Sequence, residues 1–147
     1  MSSSEELPTE AVPPRLSDVA SAVAAFHAAF GVPRGDVPSA DVPAEVAALR
    51  IRLLAEEVDE YAEAVAGRDL VAIADALADI VYVAYGAAVT YGIDLDAVLA
   101  EVHRSNMTKA DADGRVIRRA DGKVLKSDRY TPPNVAAVLR DQTEVPW

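Results

Sequence analysis

Apolar residues recur at helical spacing in four stretches of this chain. The first, Leu16 to Phe30 (LSDVASAVAAFHAAF), has Ser17 as its expected N-cap and Gly31 as its stop. The segment GVPRGDVPSADVP that follows is dense in Gly and Pro and predicts a loop. A second helix is expected from about Pro43 to Ala66, with Pro43 in its first turn and Gly67 closing it. A third runs from about Asp69 to Tyr91 and stops at Gly92, after which Asp94 caps a fourth through about Ala110. Beyond it, RVIRRADGKVLKS reads as two short strands about an Asp121-Gly122 turn. Pro132-Pro133 opens a last short helix. The predicted fold class is therefore all-α, a four-helix bundle with a small C-terminal β-hairpin.

At 147 residues there is room for one domain and one core. The expected organisation is a disordered tail over 1–14, a helical domain over 15–110, and the hairpin with a C-terminal extension of the same domain over 111–147. Aromatic residues make up only 5% of the chain, and much of its apolar content is Ala, which favours closely packed helices over a sandwich. Without cysteine there are neither disulfides nor thiolate metal sites. The opening MSSSEELPTEAVPP lacks the basic and apolar regions of a signal peptide, and a cytoplasmic location is the expectation.

A net charge of −10 argues against a nucleic acid polymer as partner. Its distribution is uneven: Lys109 to Arg129 holds seven basic residues against four aspartates, a local excess of +3. One basic neighbourhood on an acidic protein suits a small anionic ligand. The third helix is apolar enough to raise the question of a membrane. Asp75 and Asp79 sit near its centre, each costing about 2.5–3.5 kcal/mol on insertion. The reading adopted is no membrane but a buried central helix, with another subunit covering part of it.

The acids on the second and third helices decide the chemistry. At about 100° per residue, Val46, Leu49, Leu53 and Ala64 form one apolar stripe. Glu57 and Glu60 fall inside it, Glu56 lies at its margin, and Asp59 points away. On the third helix Asp75 and Asp79 are i,i+4 neighbours flanked by Ala72, Val83 and Gly86. Clustered inward carboxylates repel and are costly to desolvate unless paired or metal-bound. Arg50 and Arg52 are the only cations in the second helix before Arg68. An all-oxygen, carboxylate-rich site selects Mg²⁺ or Mn²⁺ over zinc. In the fourth helix, EVHRSNMTK places His103, Asn106 and Lys109 on one broad face, with Arg104 beside them. Asn and Lys are natural phosphate donors, and His103 or Arg104 can add another.

This ordered set resembles the MazG-like all-α pyrophosphohydrolase superfamily: EExxE at Glu56-Glu57-x-x-Glu60, acids in ADALADIVY, then Asn and Lys in EVHRSNMTK. The resemblance covers about Pro43 to Lys109, and the hairpin with YTPPN is similar to a subset of small bacterial and phage members. It implies oligomeric assembly and hydrolysis of a nucleoside triphosphate to monophosphate and pyrophosphate. Glu57, Glu60 and Asp79 would be metal ligands, Glu56 would orient or deprotonate the attacking water, and Asn106 and Lys109 would hold phosphate oxygens. Arg118, Lys123 and Lys126 of the basic hairpin would close over them. In one departure, Ala76 stands where the family has Glu; Asp75, one position earlier, is the expected further metal ligand, facing the metals from i−4.

The leading expectation is a homodimer or homotetramer that clears a noncanonical or surplus nucleotide. Phosphoribosyl-ATP hydrolysis is the alternative within the same chemistry. A helical dimer that binds nucleotide or metal without turnover is the rival from another class, and Ala76 is the feature that favours it. A di-iron bundle is disfavoured because the chain has no Glu-x-x-His pairs. For Phe26, His27 and Phe30, core packing is the expectation over base stacking.

Overall fold

A computed structural model describes residues 18–147. The N-terminal tail and Ser17 lie outside the described residues. Among those described, five helices follow one another: α1 (Val19–Phe30), α2 (Ala44–Ala66), α3 (Leu70–Tyr91), α4 (Leu95–Met107) and α5 (Val135–Asp141). Three of the starts share one mechanism, in which an Asp side chain accepts the amide two or three residues into the helix. Asp18 takes Ser21, Asp69 takes Ala72 and Asp94 takes Ala97. Asn134 does the same for α5. Pro43 is the N-cap of α2 instead of lying within its first turn.

α2 and α3 form a long antiparallel hairpin, and α1 packs on α3. The tight turn between α2 and α3 places Arg68, not Gly67, in the left-handed region, at φ 53°. The small core lies between α1 and the C-terminal half of α3. It consists of Ala20, Val23, Ala24, Tyr85 and Val89, with Val19, Tyr82, Leu95 and Trp147 against it. α4 leaves this layer at Gly92 and packs mainly against α5. Its root is fixed by Tyr85, whose hydroxyl donates to Asp96 at 2.5 Å.

Two expectations are corrected here. The β-hairpin is absent: around Asp121-Gly122 the chain turns, but only a single antiparallel bridge, Arg118 with Val124, forms among the described residues. The turn is local, whereas strands need a surface to cover, and the charged runs on either side have none. The third helix and the α1 aromatics are also far less buried than expected. Leu70, Val71, Leu77 and Val81 of α3 are exposed, as are Phe26 and Phe30, while His27 is buried. α2 adds a second open stripe of Ile51, Val58 and Val65. Within one chain, α1 and α2 cover only part of α3.

The C-terminal segment is strapped along α4. The buried Ser105 hydroxyl donates to the Thr131 carbonyl at 2.8 Å, and the Thr131 amide donates to Thr108 Oγ1 at 2.9 Å. Arg104 grips Glu101 in a bidentate pair at 2.7 and 2.9 Å and also reaches Thr131 and Pro132. Glu101 in turn accepts the Asn134 amide at 2.9 Å. The Arg104 guanidinium and then that amide hold the Glu101 carboxyl down to about 2 from an ordinary 4.5. A depressed carboxylate stabilises the fold above its unfolded value and loses that contribution as pH falls through its folded one. The strap should therefore stay closed at pH 4.5, and the Asn134 amide resonance should titrate with a midpoint near 2. In Glu101→Gln that titration should vanish, with faster hydrogen exchange at Thr131 and Asn134. A midpoint at the ordinary value would show that Glu101 is unpaired in solution.

Candidate functional site

The acid-bearing faces of α2 and α3 meet across their hairpin. Glu57 and Glu60 lie one turn apart on α2, and Asp79 of α3 faces them. One carboxylate oxygen from each of the three falls within 4.8 Å of the other two. Glu57 Oε2 is fully buried and has no hydrogen-bond partner. Burial, followed by the charges of Glu60 and Asp79, raises the Glu57 carboxyl above its ordinary value, and Asp75 adds to the effect. Among the described residues the ion pairs join Arg104 to Glu101, Arg119 to Asp121 and Arg140 to Asp141. None of them touches this cluster. Among the described residues, then, no arginine or lysine neutralises the acids gathered here.

The other acids take different positions. Asp75 is exposed and outside the trio, near enough to act on Glu57 through its charge. Ala76 points inward, 3% exposed, so the inward position preceding Asp79 by one turn carries a methyl group. Glu56 is exposed, four residues before Glu60 on the same helix. An all-oxygen set of three carboxylates, one with a desolvated and unsatisfied oxygen, fits a hard divalent cation.

Further along the α2–α3 interface lies a feature that the sequence did not disclose. Arg50, seven residues and about 10 Å before Glu57 on α2, turns its guanidinium towards α3 and donates to the Val83 carbonyl at 2.9 Å. It passes through the notch left by Gly86, where a Cβ would lie 2.1 Å from Nη2. His27 borders the same notch, with its Nδ1 3.1 Å from the Pro33 carbonyl. Arg50 Nε is buried without a partner. The pairing of a glycine on one helix with an arginine 36 positions earlier has no local signal.

The expected phosphate donors are not brought to the acids within the chain. His103, Arg104 and Asn106 are exposed and Lys109 is half-buried, all on α4 or just past its end, whose main packing is with α5. Arg104 is engaged in the strap described above. Arg118, Lys123 and Lys126 ride on the turn beyond α4. Lys126 lies 4.7 Å above the Tyr130 ring, and Arg118 Nη1 reaches the Gly122 carbonyl at 3.5 Å.

Comparison with known proteins agrees with this architecture. An uncharacterized protein of Acanthamoeba polyphaga mimivirus is 40% identical over 78 residues, covering 51% of this chain and 31% of the viral protein. The chain thus spans less than a third of the length of that curated relative. The sequence profile of phosphoribosyl-ATP pyrophosphohydrolase matches residues 23–106, which take in α2, α3 and the acid trio between them. With more than half of its length matched, the chain belongs to the phosphoribosyl-ATP pyrophosphohydrolase family, within the MazG-like all-α nucleotide pyrophosphohydrolases.

Proposed function

We propose that this protein hydrolyses a nucleoside triphosphate to the monophosphate and pyrophosphate, using Mg²⁺ or Mn²⁺ held by Glu57, Glu60 and Asp79. The observation that carries the reading is the convergence of three carboxylates, one with a buried and unpartnered oxygen, in a family of nucleotide pyrophosphohydrolases. When bound, the ion supplies charge neutralisation to the phosphate oxygens and acidifies water. The three carboxylates would hold it, and Ala76 contributes no oxygen to the set. Glu56 orients water and accepts its proton. The hydroxyl ends on phosphorus as the anhydride bond breaks, and pyrophosphate leaves. Asn106 and Lys109 hold phosphate oxygens, with His103 as a further donor.

The same reading places the protein as a homodimer or homotetramer in the cytoplasm, in nucleotide-pool housekeeping. Leu70–Tyr91 has the length and composition of a membrane span. Yet it carries Asp79 in the acid trio and Asp75 beside it, so its open apolar face is assigned to a second copy. A second reading, hydrolysis of phosphoribosyl-ATP, is favoured by the description of the matching family.

The test is pyrophosphate release from a panel of canonical, deoxy and damaged nucleoside triphosphates plus phosphoribosyl-ATP. It is run with and without Mg²⁺ or Mn²⁺, beside Glu60→Ala and Asp79→Ala. Turnover should require metal, fall by more than about 100-fold in both variants, and favour one class of substrate. Metal-independent turnover, or turnover that survives both substitutions, would remove the acid trio from the mechanism.

A further inference from the structure

Glu57 lies seven residues after Arg50 on α2, and Asp79 lies seven residues before Gly86 on α3. In an antiparallel hairpin such pairs share one register, so Arg50 meets Gly86 and Glu57 meets Asp79 on the same faces, about two turns apart. The acids therefore sit between two fastenings. One is the turn over 67–69, where the Arg68 amide donates to the Val65 carbonyl and the Asp69 amide to the Ala64 carbonyl, each at 3.1 Å. Ala64, which alone is buried among the described residues of α2, lies on that side as well. The other is Arg50, whose Nη2 donates to the Val83 carbonyl at 2.9 Å while its guanidinium fills the Gly86 notch. Its bond is to backbone, so it depends on no side chain of α3 but only on the missing Cβ at Gly86.

Three carboxylates gathered between the helices repel one another, and that repulsion opens a hairpin at whichever end is not fastened. The turn holds one end. At the other, a buried arginine is a costly choice for packing alone, because its Nε is left without a partner and an apolar side chain would avoid that loss. We infer that Arg50 is a positioning residue for the acid site: seated in the Gly86 notch, it clasps the open end of the α2–α3 hairpin and keeps Glu57 and Glu60 within reach of Asp79. This rests on the metal reading of the trio for its functional meaning, but not for its geometry. Arg50 touches neither ion nor substrate. What it supplies is a ligand set assembled before the ion arrives, in the way that groups outside the coordination shell tune affinity.

Gly86→Ala is the mildest way to undo the clasp, because the added methyl displaces the far end of a flexible side chain and not backbone. Arg50→Met removes the guanidinium and keeps an apolar stem. The probe is Mn²⁺ alone, its affinity read from the paramagnetic resonance of the free ion. Both variants should bind it at least about 10-fold more weakly than wild type. The double variant should bind no more weakly than Arg50→Met, since one clasp is lost once. Gly31→Ala, strained at the end of α1 and remote from the acids, should keep its affinity within about twofold. Wild-type affinity in both clasp variants, or losses that multiply in the double variant, would overturn the inference. In a second arm, metal-free melts compare Arg50→Met in the wild-type and Asp79→Asn backgrounds. With Asp79 uncharged there is less repulsion to hold, so the drop in melting temperature should shrink by about half. Equal drops would mark Arg50 as an ordinary packing contact and overturn the inference. Gly86→Ala replaces Arg50→Met in both arms if the latter does not fold. A wild type that binds no Mn²⁺ would sink the metal reading, while the second arm would still decide the clasp.

Discussion

Glu57→Gln should raise the melting temperature of the metal-free protein and abolish its response to Mg²⁺ or Mn²⁺. The Glu57 carboxylate is desolvated and faces Glu60 and Asp79, so its charged form is disfavoured in the fold and its pKa lies above the ordinary 4.5. Since the folded state then binds the proton more readily than the unfolded one, stability must fall as pH rises from 4.5 through the raised value. Above that raised value the metal-free protein carries the penalty in full. Glutamine keeps the shape, removes the charge and brings an amide N–H that can donate to Glu60 or Asp79. The pH dependence should flatten accordingly. In the wild type, metal binding to the folded state alone should raise the melt, and this gain should be missing from the variant. Loss of a direct ligand should also lower turnover by more than about 100-fold, beyond what outer-sphere changes cost. A variant that melts lower than wild type and still responds to metal would show the acids to be ordinary structural residues. The opposing signs for stability and function are what distinguish a built metal site from a solvated acidic face.

Features encoded within one turn of helix were legible in the sequence. Asp94 caps as expected, and Gly31 and Gly92 end their helices in the left-handed region, because each depends only on neighbours. The inward phase of Glu57 and Glu60 was equally accessible, since a period of about 3.6 residues fixes it whatever packs alongside. Pairings between elements were not. A charge on Arg104 is visible in the sequence, but Glu101 and Thr131, which occupy that charge, are brought to it by the strap. The Arg50–Gly86 notch joins two helices through a missing Cβ, and nothing near either residue announces it. The hairpin failed for a related reason. Asp121-Gly122 dictates a turn, while strand pairing depends on whether anything lies beneath it.

Burial was the least legible property. Apolar periodicity says that a face of α3 avoids water, yet not which chain covers it. The third helix reads as a buried central helix partly covered by another subunit, and Leu77 and Val81 stand open on the single chain; Phe26 and Phe30, expected to pack in the core, are exposed as well. The same reasoning applies to the acids. Asp75 and Asp79 looked equivalent as i,i+4 neighbours, but only Asp79 reaches the trio, because the intervening turn of α3 presents Ala76 inward. On the proposed oligomeric reading, a chain whose core is this small, and whose apolar helices remain half open, would leave part of its stability to assembly.

Gly92→Ala should be the most damaging single methyl addition in the described chain, lowering stability by about 2–4 kcal/mol. Gly92 has φ 71°, where an L side chain is strained, and its Cβ would lie 2.3 Å from the Val37 carbonyl oxygen. That obstacle is backbone, which cannot swing aside. The loop it belongs to is docked by the Gly35 amide on the Val89 carbonyl at 2.9 Å and by the Ser39 amide on the Tyr91 carbonyl at 3.0 Å. The Gly92 carbonyl also accepts from Gln142 Nε2 at 2.8 Å, while Gln142 Oε1 accepts the Asp94 amide at 3.0 Å. One residue therefore ties the loop over 33–42, the end of α3, the start of α4 and the C-terminal segment. Gly31→Ala is the control, because φ there is 68° but a Cβ meets nothing within 4 Å. It carries the strain without the clash and should cost only about 1–2 kcal/mol. At roughly 2–4 °C per kcal/mol for a chain of this size, thermal melts resolve the two. Gly92→Ala should lose turnover as well, since the direction of α4 sets where Asn106, Lys109 and the basic segment can reach, whereas Gly31→Ala should retain it. Equal melting temperatures for the two variants would mean that the 33–42 loop detaches at little cost and does not aim α4.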